Sequence, residues 1–171
     1  MIANAGICNW NRFWEMPDEQ WETLIDVNLT GAWKTLKAAV PALIEGGRGG
    51  SIIVISSVGG NKPLRGQANY AASKFGLVGL TQTAAKELGE YDIRVNSIHP
   101  YGVKTPMGTD PGSLVILEKH PHYLSSFGTI LTEHPLADTD DITDAVVWLA
   151  GDGSRRVTGS QVAVDMGNTK V

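Results

Sequence analysis

Two short runs constrain this chain more than any other feature, SIIVIS at 51–56 and IRVNSI at 93–98. SIIVIS is short, β-branched and apolar on both faces, and IRVNSI reads as a second buried strand. Such runs suit strands covered on both faces in a parallel sheet. Between them, Gln67 to Leu88 is alanine-rich, helical in pattern and followed by Gly89 as its expected stop. Parallel neighbours cannot be joined by a tight hairpin; they need a crossover of this kind.

The remainder of the chain repeats the alternation. Ile2 and Ala3 read as the last residues of a buried strand, and Asn4-Ala5-Gly6 as the turn it runs into. Asp18 to about Glu45 predicts a helix. Pro17 precedes an acidic first turn, Asp18-Glu19, where carboxylates meet the positive end of the helix dipole. Trp21, Leu24, Ile25, Asn28 and Leu29 recur at helical spacing, and Gly46-Gly47 closes the segment. Its length suggests a bend at Thr30-Gly31 or Pro41. GGRGG at 46–50 lies between helix and strand, so it reads as a turn; a phosphate loop must follow a strand and open a helix. His99 to about Thr139 is expected to be irregular. Thr139 or Asp140 caps a helix through Ala150, and QVAV at 161–164 is a last strand. The order implies an α/β fold, a doubly wound parallel sheet in a single domain spanning 1–171. Ligands of such sheets bind beyond the carboxyl ends of the strands. Chemistry is therefore expected at Asn4–Gly6, in the loop from Ser57 to Gly66, and from His99 onward.

A net charge of −4 gives no electrostatic footprint for nucleic acid or an anionic membrane surface. No apolar run approaches the length of a membrane span, and the first residues lack a signal-peptide pattern. The single cysteine, Cys8, cannot form an internal disulfide, which fits a reducing cytoplasm. Its apolar neighbours suit a buried thiol. His120 and His122 flank Pro121 without a nearby carboxylate triad or cysteine, so no metal site is expected.

Tyr70 and Lys74 are four residues apart on a predicted helix and share one face. A free tyrosine titrates near about 10 and is a poor base at neutral pH. A nearby ammonium favours the phenolate and lowers that value, bringing proton exchange with an alcohol or carbonyl within reach. Ser57 stands at the carboxyl end of the SIIVIS strand, where its hydroxyl can orient a substrate oxygen toward the phenol.

These residues and several more resemble the short-chain dehydrogenase/reductase family. NAG at 4–6, VNLTG at 27–31, ISS at 55–57, YAASK at 70–74, RVNSIHP at 94–100 and VTGSQVAVDMG at 157–167 each match a family motif in the family's order. The resemblance implies a dinucleotide-binding Rossmann-type fold. It implies Tyr70 as general acid/base, with Lys74 lowering its pKa and holding ribose hydroxyls. It implies Ser57 as the ligand of the substrate oxygen, and Asn28 as the residue that positions a water linking Lys74 to solvent. Asn4, Ala5, Gly6, Pro100, Val103 and Thr105 match positions that line the cofactor, NAD by resemblance, with NADP not excluded. Tyr101 replaces the family's usual glycine after Pro100. In this the chain is similar to the mycofactocin-associated subfamily that includes carveol dehydrogenases. That points to an apolar, terpenoid-like secondary alcohol or its ketone. A substrate lid is expected over about 106–135, with Met107, Leu114, Ile116, Leu117, Tyr123 and Phe127 facing the substrate.

The family's first strands and Gly-rich loop have no counterpart here, because only three residues precede Asn4. Two or three crossover units of roughly 30 residues each put about 80 residues of the family's fold before this point. Either Met1 is an internal methionine of a longer enzyme, or the chain is a fragment that binds NAD poorly and turns over slowly if at all. The competing reading is a catalytically inactive chain that keeps only its oligomerisation surfaces. By resemblance, the helices carrying Asn28 and Tyr70 and the last strand pack against copies, implying a homodimer or homotetramer.

Overall fold

The computed structural model describes residues 1–171, the side chain of Thr109 excepted. Four parallel strands form one sheet: β1 (Ile2–Ala3), β2 (Gly50–Ile55), β3 (Ile93–Pro100) and β4 (Gln161–Val164), side by side in chain order. The register sets Ile2 beside Ile53, Gly50 beside Ile93 and Ile98 beside Val162. Helices α1 (Asp18–Ile25), α2 (Gly31–Gly46), α3 (Ala68–Leu88), α4 (Pro111–Lys119) and α5 (Thr139–Ala150) complete the framework.

The sheet separates two cores, which explains why β2 is apolar from Ile52 to Ile55. Ile52 and Val54 pack with Leu36 of α2, with Leu77, Ala85 and Leu88 of α3, and with Val95 of β3. Ile53 points the other way, onto Ile98 and Leu149 of α5. Each of these isoleucines is fully or almost fully buried, and each such burial contributes about 2 kcal/mol. Asn96 is one of the buried polar residues on β3. Its amide donates to the Val157 carbonyl (2.8 Å) and its carbonyl oxygen accepts from the Ser160 amide (3.0 Å), which draws the approach to β4 alongside β3.

The long helix expected over 18–45 is interrupted by a π-helical turn at Asp26–Thr30, between α1 and α2. Pro41 lies inside α2 without ending it. Gly47 closes α2 at φ +61°. At Gly49 (φ +67°) a Cβ would stand 2.7 Å from the Asp92 carbonyl oxygen, so only glycine fits. GGRGG is thus a turn.

Three boundaries differ from the sequence expectation. Gly89 keeps a right-handed φ of −60°; the chain continues as a 3-10 turn and reverses at Asp92, whose φ is +56°. β3 runs on to Pro100 because His99 and Pro100 pair with Ala163 and Val164 of β4. The stretch from His99 to Thr139 contains α4, opened by Pro111 with its φ already helical. α5 starts at Thr139, and the Asp138 amide donates to the Asp141 carboxylate (2.8 Å). No described helix is long and apolar enough to cross a membrane.

Candidate active site

The carboxyl ends of β1, β2 and β3 lie side by side and open toward the first turns of α3. Ser57 follows β2 in an extended conformation. Its hydroxyl oxygen accepts from the Gly59 amide (3.1 Å) and donates toward the Pro100 carbonyl at the end of β3 (3.5 Å). Its own carbonyl meets Nδ1 of His99 at 2.7 Å. Gly59 lies against the Tyr70 ring: a Cβ there would sit 3.3 Å from two ring carbons. Gly60 lies as close to the backbone of α3, where a Cβ would stand 2.8 Å from the Lys74 carbonyl oxygen. Two glycines thus bring the strand end carrying Ser57 onto the helix carrying Tyr70 and Lys74.

Lys74 is 4% exposed. Its ammonium donates to the Ile55 carbonyl (3.0 Å) and stands 5.4 Å from the centre of the Tyr70 ring. Burial lowers it to about 8. Burial also pushes the Tyr70 phenol up to about 12, against which a hydrogen bond with the Ser57 side chain works. The direction is opposite to the sequence expectation. The ammonium is engaged with the Ile55 carbonyl, so desolvation decides the sign.

Asn28 is completely buried, at the centre of the π turn. Its carbonyl oxygen accepts from the Ile7 amide (2.8 Å) and its amide donates to the Ile7 carbonyl (2.9 Å). It therefore clasps both backbone groups of one residue in the loop after β1, as a neighbouring strand would. The same amide donates to Ser73 Oγ (3.3 Å), which donates in turn to the Tyr70 carbonyl (2.7 Å). π turns of this kind are frequent at functional sites, and here the wider turn carries the side chain that fixes the β1 loop.

Gly6 sits between these groups. A Cβ on it would lie 3.4 Å from the Asn28 carbonyl oxygen and 3.6 Å from the Lys74 nitrogen, so the glycine leaves the space before the ammonium clear. Asn4 and Ala5 are exposed beside it. Pro100 ends β3, and Val103 and Thr105 follow in the next loop, where Val103 bridges to Ala137 and the Thr105 hydroxyl donates to the Val103 carbonyl (3.4 Å). With one Lys74 donor engaged, the ammonium retains donors toward the Gly6 side. The donor set fits the hydroxyls of a nucleotide ribose.

Four neighbours had no role in the site assigned from the sequence. Cys8 is half-buried, and its sulfur accepts from the buried Gln67 amide (3.0 Å). Burial raises the thiol to about 12. Its environment is more polar than its sequence neighbours suggest. Trp10 stacks on Phe127 across 6.3 Å, and both Trp10 and Ile116 close over Gly66. His99 joins β3 to Ser57. Only contact across the fold assembles these residues. Of the expected lid residues, Ile116 and Phe127 face this wall. Met107 and Leu114 are exposed, and Tyr123 stacks instead with His120 beneath Arg65. His120 and His122 stand with ring centres 6.1 Å apart, and no group of three or more metal-ligating side chains occurs among the described residues.

A protein-family model described as Enoyl-(Acyl carrier protein) reductase matches residues 1–169. An uncharacterized NAD-dependent oxidoreductase of Mycobacterium tuberculosis is 54% identical over 171 residues, covering 99% of this chain and 62% of that protein. A (-)-trans-carveol dehydrogenase of Rhodococcus erythropolis is 37% identical over 175 residues, covering 98% of this chain and 63% of that one. The crystal structure of a short chain dehydrogenase from Mycobacterium paratuberculosis bound to NAD superimposes with a TM-score of 0.94 at 41% identity. That match covers 99% of this chain and 64% of that one. The chain thus spans a little over three-fifths of the length of these relatives.

Proposed function

The chain belongs to the short-chain dehydrogenase/reductase family, and on that footing we propose that it serves NAD-linked interconversion of an apolar secondary alcohol and its ketone. The observation that carries this is the assembly of Ser57, Tyr70 and Lys74 at the adjoining ends of β2 and α3, with Asn28 behind them. The NAD-bound relative supports the choice of cofactor, and the carveol dehydrogenase supports a terpenoid-like alcohol. The wall of Trp10, Ile116 and Phe127 suits a cyclic hydrocarbon body.

The Ser57 hydroxyl and the Tyr70 phenol bind the substrate oxygen from two sides. The phenol, raised to about 12 by its burial, is protonated at neutral pH. It is set to donate that proton to a carbonyl oxygen as the oxygen gains negative charge. In the direction of alcohol oxidation it must first be deprotonated, which a positive charge close to the ring favours. Lys74, still largely charged below about pH 8, supplies such a charge and donates to the ribose hydroxyls through the opening at Gly6. By the family resemblance, Asn4, Ala5, Pro100, Val103 and Thr105 would hold the rest of the cofactor. When bound, the cofactor accepts or supplies the hydride. The assembly of all four residues in one place speaks against the inactive alternative.

Exposed tryptophans on α1 and α2 (Trp21, Trp33), Phe75 on α3 and Trp148 on α5 support association with further copies of the chain. Titration with NADH, followed by tryptophan emission and size-exclusion chromatography, tests both points. Weak saturable binding by an oligomer is expected. A folded chain that neither binds nor associates contradicts the reading.

A further inference from the structure

Beneath Ser57 lies a histidine whose hydrogen bonds leave it little freedom. His99 is completely buried on β3. Its Nδ1 lies 2.7 Å from the Ser57 carbonyl oxygen and its Nε2 lies 2.8 Å from Ser97 Oγ. A backbone carbonyl only accepts, so Nδ1 must carry the proton. In a neutral ring Nε2 then accepts from the Ser97 hydroxyl. Burial, with the Lys74 charge acting the same way, holds the imidazole below its ordinary pKa despite the bond to Ser57. The neutral Nδ1–H tautomer is therefore the resident form.

The carbonyl it holds belongs to the residue whose hydroxyl faces the site. Ser57 is extended, so fixing its carbonyl fixes the rotation of its peptide and the direction of its side chain. That side chain is further located by the Gly59 amide (3.1 Å) and the Pro100 carbonyl (3.5 Å), and Pro100 is the next residue after His99.

We propose that His99 is a positioning residue. As the Nδ1–H tautomer it clamps the Ser57 carbonyl to β3, and so aims the Ser57 hydroxyl at the Tyr70 phenol. Ser97 locks the tautomer from the other side. The role of Ser57 toward substrate rests on the dehydrogenase reading; the clamp itself does not.

The test uses the full chain labelled with 15N, with the His99 signals assigned by their loss in His99→Gln. The unaltered chain should show a protonated Nδ1 and an unprotonated Nε2 between about pH 6 and 8. The Gly59 amide signal reports the Ser57 hydroxyl. His99→Asn keeps a donor near the place of Nδ1 and should leave that signal nearly in place. His99→Gln puts its amide near the place of Nε2 and should displace it. Where turnover is measurable, His99→Gln should lower kcat about tenfold with the KM for cofactor unchanged, while His99→Asn keeps most of it. An Nε2–H tautomer, or a Gly59 signal that moves equally in both variants, overturns the proposal. A chain with the Nδ1–H tautomer and no turnover contradicts the dehydrogenase reading and leaves the clamp standing.

Discussion

Replacing Lys74 by methionine should stabilise the fold at neutral pH while removing a group the proposed chemistry needs. The ammonium is 4% exposed, and burial lowers it from 10.5 to about 8. A lysine held there destabilises the native state by about 3 kcal/mol wherever both folded and unfolded chains are protonated, that is, below about pH 8. The penalty shrinks as pH rises between the folded and unfolded values and is gone above about 10.5. Methionine keeps the length of the stem but leaves the Ile55 carbonyl without its 3.0 Å donor, a loss of about 1 kcal/mol. The expected net gain for Lys74→Met is about 2 kcal/mol at pH 7, falling to about zero near pH 9.5. Urea denaturation of both chains across this range measures it. A variant less stable than the unaltered chain at pH 7, or a difference that does not change with pH, would refute the reasoning. NADH affinity should fall in the same variant despite its greater stability.

Asn28→Ala removes both bonds to the Ile7 backbone and leaves two polar groups unpaired, so stability should fall by about 3 kcal/mol in denaturant titration. Gly60→Ala places a Cβ 2.8 Å from the Lys74 carbonyl oxygen; backbone cannot yield there, and a loss of about 2–3 kcal/mol is expected. Gly79→Ala, on the exposed side of α3, is the control. It is exposed, nothing stands within 4 Å of its Cβ, and it should raise stability by about 0.5–1 kcal/mol. Calorimetry on the pair would contradict the packing account if the two substitutions had the same sign.

SIIVIS was legible because burial on both faces leaves it no polar alternation, and IRVNSI followed as a second strand of the same sheet: the two are β2 and β3 within one or two residues. The π turn was not legible. DVNLT reads as ordinary helix, and only the Ile7 backbone across the site rewards the wider turn that delivers Asn28. Ser57, Tyr70 and Lys74 could be found because one strand end and one helix carry them at short range. Cys8, Gln67 and Trp10 join them through contacts tens of residues apart, and a single sequence carries no trace of such pairings. The charge relation of Tyr70 to Lys74 also escaped the sequence. Spacing brings the groups near each other, but the Ile55 carbonyl and the depth of burial set the direction of the phenol's shift.

The most direct test of the central claim is NAD reduction by a cyclic secondary alcohol, followed in the unaltered chain and in Tyr70→Phe at matched concentration and fold. The account predicts slow, alcohol-dependent NADH formation that drops at least about 100-fold without the phenolic hydroxyl. NADH formation that survives Tyr70→Phe, or a folded chain that forms none with any alcohol offered, would contradict it.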